Sequence, residues 1–311
     1  MLFRICTSLF LVSASFAAKL EAPNNGLVVH EWGTFTSVAG PDGSAIEWLP
    51  FYKPYDLPRF VEHLSEATFK SGLRTKIRME TPVVYFYSDR EATVAAAVNF
   101  PQGLITEWYP RATRVSHGIR WPSVKIMPGH KSTEYLPVEN APSHYYAARD
   151  TNAATVATMS IPQQQERFLF YRGVANFQPP LAVKFGSDKT QITATPGQEI
   201  SRVILFANHG GKIAYSIHQR VAGELSVKNP LSGADAATFP KQFEQILIAE
   251  GLFPDEAHAM VETWRDSWFE EGSRVFYIFP RVLLDATLPL SIEPQPTKTV
   301  RVFVGRINLH T

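Results

Sequence analysis

The chain has 311 residues, with 30 Lys and Arg against 29 Asp and Glu for a formal charge of +1. That balance argues against bulk nucleic-acid binding while leaving local patches open. With 45% hydrophobic residues, 12% aromatics and 23 prolines, the composition suits a globular protein of many short strands and turns and excludes a disordered one.

The chain begins Met1-Leu2-Phe3-Arg4, continues through an apolar run from Ile5 to Val12, and reaches small residues over Ser13–Ala18. One positive charge, a short apolar core and a small-x-small site (Ser15 and Ala17) predict a signal peptide over 1–17 and a mature domain over 18–311. The alternative is a buried N-terminal helix or strand. The run is too short for a membrane span, which needs roughly 20 residues, and no later stretch reaches that length without charge or proline. Cys6, the one cysteine, lies inside this signal. The mature chain is then free of disulfides, thiolate nucleophiles and cysteine-bound metal. Export to a bacterial periplasm or cell surface is the expected location, and nearly all of the chain is available to build a core.

The next segment, Leu27–Val38, alternates as a strand with apolar residues on both faces, which suits burial on both sides. Residues 41–58 carry five prolines and glycines at turn positions (Pro41, Gly43, Pro50, Pro54, Pro58), and Arg59–Ser71 reads as a short helix. Strands follow at Leu73–Thr81, Val83–Tyr87, Ala92–Phe100 and Leu104–Tyr109. Later strands are expected at Thr155–Ser160, Arg167–Tyr171, Leu181–Phe185, Gln191–Thr195, Ser201–Ala207 and Lys212–His218. Asn208-His209-Gly210-Gly211 between the last two is a hairpin turn, because glycine permits positive φ. With no Gly-x-Ser-x-Gly elsewhere it is not read as an oxyanion loop.

Beyond Ala234 the period changes. Phe239–Glu250 and Pro254–Glu271 read as a helical hairpin, with Gly251 and Gly272 as stops and Pro254-Asp255-Glu256 opening the second helix. Ala257, Met260, Val261, Trp264 and Trp268 form its apolar stripe. Ser273–Phe279 and Thr299–Leu309 return as strands. The fold expected is mainly β, an antiparallel sandwich with a C-terminal two-helix hairpin insertion (239–271). One domain is expected, with two β subdomains divided near 150–165 as the alternative.

Three groups of residues carry candidate chemistry. His30 and Glu31 lie on opposite faces of their strand, and Thr34 stands where a zincin would have its second histidine. Glu31 is read either as an acid, base or ligand, or as the buried partner of an arginine such as Arg78 or Arg172. Glu31, Glu80 and Glu107 are the candidate catalytic carboxylates, and Glu-Trp pairs at 31–32, 47–48 and 107–108 suit sugar sites, where rings stack and carboxylates do acid–base work. Over 108–131, Arg111, Arg114, Arg120, Lys125, Lys131, His117 and His130 are interleaved with Trp108, Tyr109 and Trp121, with no acidic residue between Glu107 and Glu134. This segment reads as a surface loop in which Trp108, Arg111, Arg114, His117, Arg120 and Trp121 bind an anionic ligand. His258, Glu262 and Asp266 at helical spacing permit metal coordination but also fit an ordinary polar helix face, and no metal site is assigned.

The runs Val29–Gly40, Met79–Tyr87, Phe100–Pro110, Phe168–Gly173 and Trp264–Gly272 resemble a family of exported bacterial proteins of unknown function that share the His-Glu-Trp-Gly-Thr-Phe-Thr segment. The resemblance spans most of the mature chain and implies no activity, cofactor or catalytic residue. It does imply that relatives continue past Val304-Gly305-Arg306. Three functions are expected in competition. The first is an envelope protein binding an anionic polysaccharide or other polyanion, with nucleic acid not expected. The second is a secreted glycan-directed hydrolase using paired carboxylates. The third is a scaffold that oligomerises through exposed aromatics.

Overall fold

A computed structural model describes residues 26–50, 56–64, 73–130, 136–140, 143–230 and 238–309. The expected signal segment lies outside the described residues. The first seven strands are β1 (Val28–Val38), β2 (Glu62–His63), β3 (Ile77–Tyr87), β4 (Ala92–Asn99), β5 (Gly103–Tyr109), β6 (Thr113–Val115) and β7 (Gly118–Met127). A 3₁₀ turn at His144–Arg149 precedes β8 (Thr155–Thr158), β9 (Gln165–Glu166), β10 (Leu169–Ala175), β11 (Leu181–Phe185) and β12 (Lys189–Ala194). Then come β13 (Glu199–His209), β14 (Lys212–Ala222), β15 (Glu224–Lys228), and the helices α1 (Thr238–Ala249) and α2 (Pro254–Trp268). The chain closes with β16 (Gly272–Ile278), α3 (Arg281–Thr287), β17 (Leu290–Glu293) and β18 (Lys298–Leu309).

The fold is mainly β with antiparallel sheets and helices toward the C-terminal end, as the alternation predicts. Among the described residues the strands form a nine-stranded sheet in the order β14-β13-β16-β18-β1-β3-β10-β5-β2, a three-stranded sheet β11-β12-β15, and a sheet β17-β4-β7-β8-β9 with β6 also on β7. Two cores lie on opposite faces of the large sheet. On one, Val29, Phe35, Val84, Leu205 and Phe303 pack with Val98, Trp121 and Ile126 of the second sheet and Val183 and Ile192 of the third. On the other, Trp32, Tyr85, Phe170, Phe206 and Val302 pack against Phe243 of α1 and Met260, Trp264 and Trp268 of α2. The apolar stripe of α2 is therefore core. The arrangement is a sandwich with a helical third layer. It explains why β1 is apolar on both faces: every residue from Val29 to Val38 is buried.

One departure from a purely antiparallel fold sits at the centre. β1 and β18 pair in parallel along their whole lengths, so segments near the two ends of the chain lie side by side in mid-sheet. Strands on both sides of residues 150–165 also pair within the same sheets, β10 with β3 and β5, and β17 with β4. Of the helix expected over Arg59–Ser71, residues 59–64 are described, and Glu62–His63 instead extends the sheet edge against Trp108 and Glu107. Ladder hydrogen bonds at an open edge outweigh a weak local helical pattern.

Proline marks a line of irregularities across the sheet. Pro82 lacks an N–H, and Thr81 before it takes φ 45°. The register shifts between β1 and β3 at Gly33, between β3 and β10 near Arg172, and between β10 and β5 at Thr106. The two strands expected at Leu73–Thr81 and Val83–Tyr87 are thus one strand, bulged at the residues that suggest a break.

Close packing at the centre makes a test. A Cβ on Gly305 would stand 2.0 Å from the ring of the buried Tyr277 on β16. Gly305→Ala should therefore lose roughly 1–3 kcal/mol through overpacking, read as a lower midpoint in urea unfolding. An unchanged midpoint would contradict this packing.

Candidate functional site

Four polar constellations stand out against the two cores. The first is on the sandwich side of β1. Glu31 is opposite Arg301 in the parallel register, and Arg301 Nε donates to Glu31 Oε2 at 2.5 Å. The Tyr171 hydroxyl donates to Glu31 Oε1. Arg301 completes its fork on Asp285 Oδ1 and the Leu288 carbonyl, both at 2.7 Å. Burial works against the charge on Arg301, but Glu31 and the hydrogen bonds outweigh it and raise its pKa. Burial, reinforced by Glu31, pushes the Tyr171 hydroxyl well above its ordinary value, so it is a fixed donor. The arginine that meets Glu31 is neither Arg78 nor Arg172, both of which belong to the other face. Arg301 also walls a groove of about 670 Å³ shared with Asp285 and Arg281. Its three donor nitrogens are already engaged there, and Glu31 behind it is fully buried.

The second constellation is on the helical side. His30 Nδ1 lies 2.7 Å from Glu256 Oε2, and Tyr87 donates to Glu256 Oε1 at 2.8 Å. The Phe253 N–H also donates to Glu256, which caps the start of α2. The His30 ring stacks on Phe253 with centroids 4.4 Å apart. His30 and Glu31 thus serve two separate networks on opposite faces, as strand alternation requires.

The third lies along the bulged line of the sheet. Thr36 donates to Glu80 at 2.6 Å, and Glu80 pairs with Arg78 at 3.3 Å. Arg78 and Arg172 both reach Asp56, at 3.3 and 2.7 Å, and Arg172 Nε donates to Glu107 at 3.2 Å. Thr106 donates to the same carboxylate. Burial opposes ionisation of Asp56, but Arg172 and then Arg78 hold its carboxyl below the ordinary 3.8. Glu107 also borders a cavity of about 360 Å³ with His63, Arg59 and Glu139. Glu80 and Glu107 therefore share one network through Arg78, Asp56 and Arg172, while Glu31 is across the sheet from both. A β-branched residue at positive φ, Thr81, adjoins this network.

The fourth is the basic segment, and here the sequence expectation is corrected. Residues 113–127 are a hairpin and a central strand, not a loop. Trp121 is 1% exposed and donates to the Pro110 carbonyl, and Trp108 is 6% exposed in the same core. Neither ring is available to stack on a ligand. The outward side chains read as a basic loop because β7 is half-buried: Ile119, Trp121, Val124 and Ile126 go in, Arg120 faces out and Lys125 is half-exposed. Arg111 is exposed but paired with Glu62, and Lys125 with Glu91. Arg114, His117 and Arg120 are exposed and make no ion pair among the described residues.

A metal would find its best donors between α1 and α2, where Glu244, His258 and Glu262 bring ligand atoms within 4.8 Å of one another. The set is already paired internally: His258 with Glu244 at 2.8 Å, and Glu262 with Arg265, whose hydrogen bonds lower the Glu262 pKa. The sequence spacing shows the α2 pair but not Glu244, which packing between the helices supplies.

No family model matches the chain. No curated protein matches it. Among solved structures, the chain is similar to the Fcho1 Mu homology domain of Danio rerio with bound Eps15 peptide, at 7% identity and a TM-score of 0.29 over 92% of this chain and 96% of that one.

Two measurements check these networks. Arg301→Met strands Glu31 in the interior and should cost roughly 3–5 kcal/mol in urea unfolding, with Glu31→Leu added to it recovering most of the loss. Asp56 has a folded pKa below its unfolded one, so its contribution is full above about pH 4 and disappears as pH falls through the lower value. The stability gap between wild type and Asp56→Asn should therefore be level above about pH 4 and close as pH falls below it; a gap that stays constant through the acid range would count against the Asp56 assignment.

Proposed function

We propose that this chain is an exported cell-envelope protein that binds an anionic polysaccharide or related polyanion through the β6–β7 hairpin. The observation that carries the reading is the division among its cations. Arg78, Arg149, Arg172, Arg301 and Arg306 are each engaged with a carboxylate in or near the interior, while Arg114, His117 and Arg120 stand exposed without one among the described residues. Exposed cations without partners attract polyanions with no ion pair to break first. The hairpin register pairs Thr113 with Arg120 and Arg114 with Ile119, so the two guanidiniums leave opposite faces of the ribbon. That geometry suits a strand of polyanion wrapping a hairpin better than a single small anion in a pocket. The N-terminal segment that reads as a signal peptide supports the location, and no described helix is long and apolar enough to cross a membrane.

The paired-carboxylate alternative draws less support. A paired-carboxylate mechanism needs two carboxyls facing one substrate, yet Glu31 lies across the sheet from Glu80 and Glu107, and all three are engaged by arginines.

The test is retention on a heparin or polyuronate matrix. Wild type should bind at low ionic strength and elute steeply with salt, since exposed charges are screened within about 10 Å at 0.1 M. Arg114→Ala with Arg120→Ala should elute at clearly lower salt with an unchanged melting curve. Retention that persists at high salt, or none at low salt, would sink the reading.

A further inference from the structure

The turn that joins β8 to β9 holds two aliphatic side chains out in solvent. Met159 is 71% exposed and Ile161 is 92% exposed. The turn is not a loose tip. Thr158 N–H donates to the Gln164 carbonyl at 3.0 Å, and the Ser160 hydroxyl donates to the Pro162 carbonyl at 2.9 Å. An isoleucine and a methionine two residues apart on one hydrogen-bonded turn are held together in solvent, and apolar side chains gathered beside charged ones suit an interaction surface.

Its position supplies the partner. β6 and β8 lie along the same edge of β7, with Thr113 opposite Arg120 and Thr158 opposite Val124. Continuing each strand by its own direction brings residues 159–161 and residue 111 toward the same stretch of β7. The Arg111 N–H closes the gap by donating to Gln164 Oε1 at 2.5 Å. The exposed aliphatic turn therefore adjoins the basic hairpin, whose own exposed apolar residue is Val115 at 39%. Of the acids here, Glu62 is held by Arg111 and Glu91 by Lys125, which leaves Arg114 and Arg120 as the net charge.

The geometry points to a membrane-borne polyanion: this edge docks end-on against an anionic bilayer surface, with Ile161 and Met159 entering the acyl boundary while Arg114 and Arg120, leaving the ribbon on either side of the edge, reach the headgroups. The inference rests on the hairpin's role in polyanion binding and adds the apolar half of the contact. Apolar insertion and headgroup attraction each bind weakly and reversibly alone, and stable attachment needs the two together. A soluble polyanion alone would leave Ile161 and Met159 without a role.

Cosedimentation of the mature protein with vesicles tests it. On vesicles of equal parts phosphatidylcholine and phosphatidylglycerol at low salt, wild type should sediment; on phosphatidylcholine alone it should not. Ile161→Ser with Met159→Ser changes only exposed side chains and no charge, and should lower affinity for the mixed vesicles at least about tenfold, from the apolar area withdrawn. The same variant should elute from heparin at the wild-type salt concentration. Heparin retention without vesicle binding, or vesicle binding indifferent to the double variant, overturns the membrane inference and leaves polyanion binding intact. Loss of both overturns the two together.

Discussion

The Glu31–Arg301 pair is the interaction on which the rest of the structure depends. It bridges β1 and β18, the parallel central strands contributed from near opposite ends of the chain, at directly opposed register positions. Two ions taken from water into a sheet core repay their desolvation only with good geometry and further hydrogen bonds. Both conditions are met: Tyr171 fills the second carboxylate oxygen, while Asp285 and Leu288 fill the guanidinium. A one-residue slip of β18 would turn Arg301 into the helical core and strand Glu31 opposite a valine, so the pair also fixes register. Because Arg301 reaches α3 through Asp285, the same residue ties the short helix to the sheet. His30 does the equivalent work on the other face by holding the first turn of α2 through Glu256.

The bulged line explains how the helical face of the sheet changes character. On one side of Gly33, Thr81 and Pro82, that face carries Trp32, Val83 and Tyr85 beneath the helices. On the other side it carries Thr36, Glu80 and Arg78, with Arg172 and Glu107 alongside. An extra residue in one strand of a pair re-aims the side chains that follow it and increases local twist. The irregularity is propagated from β3 to its neighbours on both sides, so the ionic row is a consequence of one Thr-Pro step read across four strands. Asp56 closes the row by bridging two arginines that would otherwise repel.

What was legible in the sequence was local, and what was not was long-range. Strand alternation, the Gly210-Gly211 turn, and the helical hairpin with its glycine stops and Pro254 all depend on neighbours a few residues apart, and they stand in the structure at nearly the expected positions. Burial cost offers an arginine partner as one of two readings of Glu31. The identity of that arginine is not readable, because Arg301 is 270 positions away and only the parallel pairing of the terminal strands brings it there. α3 carries no sequence signal, because only Leu284 of its seven residues is buried and there is no stripe to detect. Trp121 reads as part of a loop because Pro122 interrupts the period of β7 at a register shift, so an inward-outward strand looks aromatic and basic, whereas Trp108 belongs to β5, the strand expected over Leu104–Tyr109. The apolar turn at Met159–Ile161 had no sequence signal, since alternation predicted a strand through Ser160 and only the register of β8 against β7 shows where the strand ends.

The same logic bears on function. Arg301 is already committed to register and to a helix, and Arg78 and Arg172 to the bulged row, so removing them for ligand binding would unpick architecture. An exposed cation on the β6–β7 ribbon has no such commitment. The ribbon is nonetheless anchored, because its second strand is also an interior strand whose inward side packs Trp121 and Val124 into the sandwich core. Arg120 therefore projects from a fixed backbone position, and the β8–β9 turn is fixed beside it by the same strand. Rigid presentation of charge and apolar side chains lowers the ordering cost of binding. The half-buried strand that made the segment hard to read is what holds both parts of the edge in place.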